Sequence, residues 1–262
     1  MIRTQRLLSS FTLSVGVLVC APLAMSQTGT SVDAGDWPGY HGNEAAQRYS
    51  PLDQINAENV ADLELAWSFS TGNFGPTTDF NNPSTPIEID GVLYANIGST
   101  RNVVALDATS GQVLWLWRPQ EGERFDEAPR KGAGRGVAFW SDGDNNRVID
   151  VTPGYHLVSL NAETGIPDPS FGENGIVDLF DGLRNADDPR FPFPDIGLSA
   201  APFIMNDVIV VGAAHRVGMR PRSKTNVKGD IRGFDARTGE LLWTFQTIPE
   251  RGEVGFESWL DG

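Results

Sequence analysis

The sequence has almost no cysteine and comparatively few cations. Cys20, within an apolar N-terminal run, is the one cysteine among 262 residues, so a disulfide framework is excluded and a secreted chain must rely on its core. There are 20 Lys and Arg residues against 34 Asp and Glu, which gives a formal net charge of -14. Because phosphate backbones require a basic surface, this balance argues against nucleic acid as a partner.

The first 26 residues have the pattern of a secretory signal peptide. Arg3 and Arg6 precede an apolar run over 7–19, and the small-residue stretch "AMS" lies directly before Gln27. The alternative is an uncleaved membrane anchor, for which the hydroxyl residues within the run make it weakly apolar. We therefore predict a signal peptide over 1–26 and one domain, itself incomplete, over 27–262.

Long helical periodicity is also missing beyond the leader. Short β-branched and aromatic runs bounded by Gly, Asp, Asn and Pro take its place, and "GVLYANIG", "RVIDVTPG" and "DVIVVGAA" predict strands. Helix is expected in short pieces, for example at 56–67, where Asn56 could cap a turn. The nucleophile-elbow and HExxH zinc motifs are absent, which argues against the hydrolases that carry them.

An internal repeat is the strongest positive signal. Three units, 103–115, 157–168 and 231–243, each end a strand in Asp or Asn, continue as Ala-x-(Ser/Thr)-Gly and begin a second strand. An Asx side chain can bond the amides of its own turn, and glycine supplies the positive φ of a tight hairpin. The turn residues concerned are Asp107, Asn161 and Asp235, with Gly111, Gly165 and Gly239.

The repeat predicts the fold class. Trp115 and Trp243 lie four residues after their glycines, where a flat side chain can pack on a neighbouring sheet, whereas the middle unit has Asp168 and Pro169 there. Small antiparallel sheets repeated in this way indicate an all-β β-propeller, and a β-sandwich with similar hairpins is the alternative. The chain holds about three to four blades, fewer than a typical closed propeller, so we expect the N-terminal part of a longer protein or a truncated one.

The stretch "RKGAGRGVAFW" at 130–140 gathers cations and glycines in an acidic chain. A phosphate cradle is the first interpretation, but the glycines recur at every second residue, and "VAFW" predicts a strand where a phosphate-binding loop leads into a helix. A loop with an Arg fork and close glycine backbones can instead bind a carboxylate bidentately.

Several motifs together resemble the quinoprotein dehydrogenases that use pyrroloquinoline quinone (PQQ). The stretch "DWPGYHGNEAAQRYSPLDQINAENVADLELAWSFSTG" resembles the family's entry segment, and the three repeats resemble its tryptophan-docking repeats. The motifs "RGVAFW", "VTPGYHLVSLNAETG", "FGENGIVDL" and "GDIRGFDARTGELLW" resemble the glucose-dehydrogenase-like branch. The resemblance covers nearly all of the chain beyond the leader.

The resemblance implies an eight-bladed propeller that holds PQQ in its central funnel, usually with Ca²⁺ or Mg²⁺. Such enzymes oxidise an alcohol or sugar in the periplasm and pass electrons to a cytochrome or a membrane quinone. A later aspartate takes the hydroxyl proton while hydride goes to the quinone, and it is expected beyond Gly262. The chain alone is then expected to be inactive. The alternative is a non-catalytic propeller of the same ancestry that binds partner proteins.

Five residues are candidates for contact with the cofactor because of the resemblance. Arg135 matches an arginine that contacts a PQQ carboxylate, and Ser199 matches a hydroxyl position on another carboxylate. Ala214 and His215 match a loop that donates to PQQ, and Lys131 lies near the place where relatives cover the quinone ring. In the same loop Val217 stands near the expected acidic metal ligand, which leaves the metal ligands unknown and favours the scaffold alternative.

Overall fold

The chain forms three four-stranded antiparallel sheets, here called blades 1 to 3. The computed structural model describes residues 35–259, except residues 44, 80, 188, 190–192, 217 and 219–222. The predicted signal peptide at 1–26 and Val217 therefore lie outside the described residues. Within the described part no helix is long and apolar enough to cross a membrane.

Each blade is a meander in which consecutive strands pair. Blade 1 contains β1 (Ile87–Ile89), β2 (Val92–Ile97), β3 (Asn102–Asp107) and β4 (Val113–Trp117); blade 2 contains β5 (Ala138–Ser141), β6 (Asn146–Val151), β7 (His156–Asn161) and β8 (Ile176–Asp178); blade 3 contains β10 (Phe203–Met205), β11 (Val208–Val211), β13 (Ile231–Asp235) and β14 (Leu241–Phe245). A separate ribbon pairs β9 (Ile196–Gly197) with β12 (Ala214–His215). The predicted all-β propeller class is confirmed.

In the part of the chain that the structure describes, helix is confined to short segments, as predicted. An α-helix, α1 (Glu123–Glu127), connects blades 1 and 2, and 3-10 helices occupy Val60–Asp62 and Phe256–Trp259. The N-cap of the first 3-10 helix is Asn59 rather than the expected Asn56, whose side chain accepts a hydrogen bond from the Glu58 amide at 2.9 Å in the turn before it.

The repeated turns have the predicted geometry. The side-chain oxygen of Asp107 accepts hydrogen bonds from the amides of Thr109 and Ser110, at 3.1 and 2.7 Å. Asn161 and Asp235 make the equivalent pairs of bonds in blades 2 and 3. The turn glycines have positive φ, 70° at Gly111 and Gly165 and 74° at Gly239.

Tryptophans connect two of the three repeated turns to a preceding segment of the chain. The Trp115 indole of blade 1 lies against Gly165 of blade 2 and donates to the Ala162 carbonyl at 2.8 Å. In the same way Trp67 lies against Gly111 and donates to the Ala108 carbonyl at 3.1 Å. A Cβ at either glycine would collide with the ring, so the glycine also allows the close approach.

At the repeated turn of blade 3, blade 2 places no tryptophan on the turn glycine Gly239. Phe171 and Val177 occupy the space beside Gly239, where a Cβ would lie 3.1 and 2.7 Å from their side-chain atoms. Trp243 instead lies against Gly233 of its own blade and is 41% exposed. The middle repeat lacks the tryptophan, and the apolar side chains of Phe171 and Val177 fill the corresponding space instead.

Blade 2 buries both of its faces. Adjacent strand residues point to opposite faces, and Val148 packs toward blade 1 while Ile149 packs toward blade 3. Val148 belongs to the same buried hydrophobic cluster as Val103 of blade 1. Ile149 belongs to a second buried cluster, which includes Ile209 of blade 3. This two-sided burial explains why the residues of β6 from Arg147 to Val151 are buried at successive positions rather than at alternate ones.

Candidate cofactor site

The loop at 130–136 leads from α1 into β5, so a strand follows its glycines, as the sequence predicts. Gly136 has a φ of 132°, and a Cβ there would lie 2.8 Å from the Thr85 carbonyl oxygen. The glycine therefore lets the loop approach blade 1 closely. Phosphate-binding loops end at a helix N-terminus, and this loop does not.

Arg135 is fixed by its backbone between two neighbouring segments. Its amide donates to the Ser199 carbonyl at 2.8 Å, and its own carbonyl accepts from the Thr85 amide at 3.1 Å. The side chain is exposed, and Nη1 lies 3.5 Å from the Tyr40 hydroxyl. A fixed backbone with an exposed guanidinium suits a group that binds an anionic ligand.

Ser199 and the β9–β12 ribbon lie beside this loop. Gly197 pairs with Ala214, and Ile196 pairs with His215, so the ribbon carries two candidates close to the start of the Ser199 segment. The Arg130 guanidinium donates to the His215 carbonyl, which connects the ribbon to the loop. Backbone contacts therefore bring Arg135, Ser199, Ala214 and His215 into one region.

Lys131 takes a different direction. Its ammonium donates to the Asp126 carbonyl at 2.6 Å and lies 5.0 Å from the centre of the Phe125 ring. Both partners belong to α1, so the structure holds this charge against the short helix rather than beside Arg135.

A cavity of about 690 Å³ adjoins Arg135. Its walls come from residues 38–43 and 45, from the strand β5 and residues before it, and from 200–207, and they are largely apolar. Trp140 lines it and donates from Nε1 to the Asp207 carboxylate at 2.9 Å. Arg135 is the single one of the five candidates among its lining residues, so a cation stands at the wall of an apolar space.

Arg101 is a site residue that the sequence does not reveal. It lies in the β2–β3 turn at a φ of 55°, is 2% exposed, and donates to four carbonyl groups. Nη1 bonds the Val151 and Leu198 carbonyls at 2.7 and 2.6 Å, and Nη2 and Nε bond those of Arg130 and Gly132 at 2.7 and 3.1 Å. An arginine in a hairpin turn is usually a surface residue, so its sequence context carries no signal.

Buried carboxylates surround this arginine at a longer range. Burial raises the pKa of Asp150 to about 6, although the Arg101 charge and a hydrogen bond from Asn96 oppose the shift. Burial in turn lowers the pKa of Arg101, and the charges of Asp150 and Glu121 oppose that shift.

Glu121 forms a second buried polar group with His156. Burial raises the pKa of Glu121, but hydrogen bonds from His156, Thr152 and the Gly154 amide outweigh it and hold the pKa below its usual value. The carboxylate lies 2.6 Å from His156 Nδ1 and 2.6 Å from the Thr152 hydroxyl.

The metal ligands remain unassigned. Among the described residues, no three His, Asp or Glu side chains lie together so as to hold a metal ion. Val217, where the resemblance places an acidic ligand, falls outside that part of the chain.

Comparisons with known proteins identify the family of this chain. The family described as "PQQ: Glucose/ethanol/alcohol dehydrogenase, beta-propeller domain" matches residues 37–260. The chain is 34% identical over 225 residues to the quinoprotein glucose dehydrogenase of Escherichia coli (strain K12), covering 80% of this chain and 27% of that protein. It is 28% identical over 234 residues to the glycerol dehydrogenase large subunit of Gluconobacter oxydans (strain 621H), covering 86% and 30%.

A solved structure shows the same fold. The crystal structure of quinohemoprotein alcohol dehydrogenase from Comamonas testosteroni superposes with a TM-score of 0.61 at 28% identity, covering 82% of this chain and 27% of that one. The chain thus spans less than a third of the length of these relatives. It belongs to the PQQ family of glucose/ethanol/alcohol dehydrogenase β-propeller domains.

Proposed function

We propose that the described residues form part of the PQQ-binding wall of a quinoprotein dehydrogenase. The protein is exported to the periplasm by the signal peptide at 1–26, oxidises an alcohol or a sugar, and passes electrons to a cytochrome or a membrane quinone. The observation that carries the proposal is the position of Arg135. Its guanidinium is exposed at the wall of an apolar cavity, and its backbone amide donates to the Ser199 carbonyl.

The residues present fit the chemistry of PQQ, which carries three carboxylates on a planar ring system. Among the described residues, no carboxylate forms an ion pair with Arg135, so its fork is available to an anion. The neighbouring Arg130 has a buried Nε without a hydrogen-bond partner in the described part of the chain. The largely apolar walls of the cavity suit the faces of a planar ring.

In this proposal the residues of this chain bind the cofactor and orient it. Bound PQQ would supply the quinone that accepts hydride from the substrate carbon. Arg135 and Ser199 would hold carboxylates of the cofactor, while Ala214 and His215 would lie at the adjoining ribbon. The base that takes the substrate proton is expected beyond Gly262, and Ca²⁺ or Mg²⁺ is not assigned to described side chains.

Amide chemical shifts of the isotope-labelled chain, measured while PQQ is added in the presence of Ca²⁺, test this proposal. We expect saturable shifts at 130–136 and 197–199, and little change when inorganic phosphate replaces PQQ at the same concentration. The titration with phosphate distinguishes a site that binds the carboxylates of PQQ from a loop that binds phosphate. Absence of shifts with PQQ, or equal shifts with phosphate, would contradict the proposal.

A further inference from the structure

The four carbonyls that Arg101 bonds belong to three separate segments. Arg130 and Gly132 lie in the loop that carries Arg135, Val151 ends β6, and Leu198 directly precedes Ser199. One guanidinium, reaching out of blade 1, therefore fixes the backbone on both sides of the Arg135–Ser199 contact.

The loop is also shaped around this side chain. Gly134 has a φ of 74°, and a Cβ there would lie 2.9 Å from Arg101 Nε, so this position favours glycine on two grounds. Arg101 itself is held in the left-handed region, at a φ of 55°, by the turn that begins at Gly98, whose carbonyl accepts its amide. Non-glycine residues in that region are sparsely populated, and they persist where the surroundings fix them.

We propose that Arg101 is a positioning residue, which sets the distance between the Arg135 loop and the Ser199 segment and thereby prepares the wall for the carboxylates of the cofactor. This inference rests on the proposed function for the identity of the ligand. Arg101 is buried and acts through the four carbonyls, so it does not itself touch the cofactor.

A planar fork is necessary for this role. Arginine presents five N–H donors in a fixed plane, and four nitrogen–carbonyl bonds are made here. Lysine has a single ammonium with three donors and cannot bridge the same groups, so Arg101→Lys keeps the charge but loses the spacing.

Arg232 provides a matched control. It is also 2% exposed and donates from its guanidinium to the carbonyls of Asp181 and Leu179, away from the Arg135 loop. Arg232→Lys therefore reports the general cost of replacing a buried arginine in this fold.

The test combines amide hydrogen exchange with PQQ titration in the intact chain. The Arg135 amide, which donates to Ser199, should exchange at least about tenfold faster in Arg101→Lys and less than about twofold faster in Arg232→Lys. The dissociation constant for PQQ should rise about fivefold or more in the first variant, and less than about twofold in the second.

Equal exchange at Arg135 in the two variants would overturn the inference, whatever the affinity for PQQ. If the unaltered chain fails to bind PQQ, the proposed function is wrong, while the exchange rates still decide whether Arg101 fixes the loop. Should Arg101→Lys not fold, Gly134→Ala presses on the same guanidinium and should accelerate exchange at Arg135 by a similar factor. Unchanged exchange in that variant would likewise overturn the inference.

Discussion

The indole of Trp115 in blade 1 lies directly on Gly165 in blade 2, and its Nε1 donates to the neighbouring Ala162 carbonyl at 2.8 Å. The contact joins the last strand of one blade to the repeated turn of the next. It buries an aromatic ring at a position where a Cβ would collide with it, so the glycine is required by packing as well as by its backbone.

Gly165→Ala should therefore destabilise the fold more than an equivalent change at an open glycine. Gly91 is the control, because its φ of 78° is close to the 70° of Gly165, whereas nothing lies near its Cβ position. We expect a loss of about 1–2 kcal/mol from the left-handed backbone in Gly91→Ala, and about 1–3 kcal/mol more from overpacking in Gly165→Ala. Denaturant unfolding measures both, and equal losses would argue against the docking contact.

Phe171 should carry the corresponding contact between blades 2 and 3. It is fully buried and, with Val177, occupies the space beside Gly239 that an indole fills elsewhere. Phe171→Ala should lower the free energy of unfolding by about 3–5 kcal/mol. Phe203→Ala, at a residue 46% exposed, should cost far less, and similar costs for the two would contradict this packing.

Stability should fall in acid through Glu121. Its pKa is held below the usual value in the folded state, so its contribution is complete above the unfolded pKa of about 4.5 and is lost as the pH falls through the lowered folded value. Glu121→Gln should therefore be less stable than the unaltered chain at neutral pH, with a difference that shrinks below about pH 4.5. Unfolding free energies across pH 3–7 measure this, and a constant difference would contradict it.

The chain on its own should not turn over substrate. With PQQ and Ca²⁺ added, alcohols and sugars should cause no reduction of an electron-accepting dye, because the base and the rest of the wall are expected beyond Gly262. Binding of PQQ without turnover is the expected combination. Turnover by residues 27–262 would contradict the proposed division of the site.

Local features of the fold were predictable from the sequence, because their causes lie within a few residues. The bonds of Asp107 to Thr109 and Ser110, and the positive φ of Gly111, follow from one short motif. The docking of Trp67 was not predicted, since no repeat glycine precedes it. The role of Phe171 could not be seen either, because its partner Gly239 is distant in the chain.

Some residues of the candidate site could likewise be predicted from the sequence, and others could not. Arg135 stands out through its glycines and its charge in an acidic chain, and the resemblance adds Ser199, Ala214 and His215. The role of Arg101 could not be predicted, because it bonds carbonyls between 29 and 97 residues away. Every residue has a backbone carbonyl, so the sequence does not indicate which carbonyls an arginine will bond. The resemblance places Lys131 near the quinone ring, which stays a prediction, and in the structure its ammonium donates to the Asp126 carbonyl of α1.

The ratio of PQQ affinities between two arginine variants tests the central claim most directly. Arg135→Met removes the fork at the cavity, and Arg118→Met removes an exposed arginine that follows β4 in blade 1. Charge-assisted hydrogen bonds contribute about 1.5–3 kcal/mol, so we predict that the first variant binds PQQ at least about tenfold more weakly than the second. Equal dissociation constants for the two variants would contradict the assignment of Arg135 to the cofactor wall.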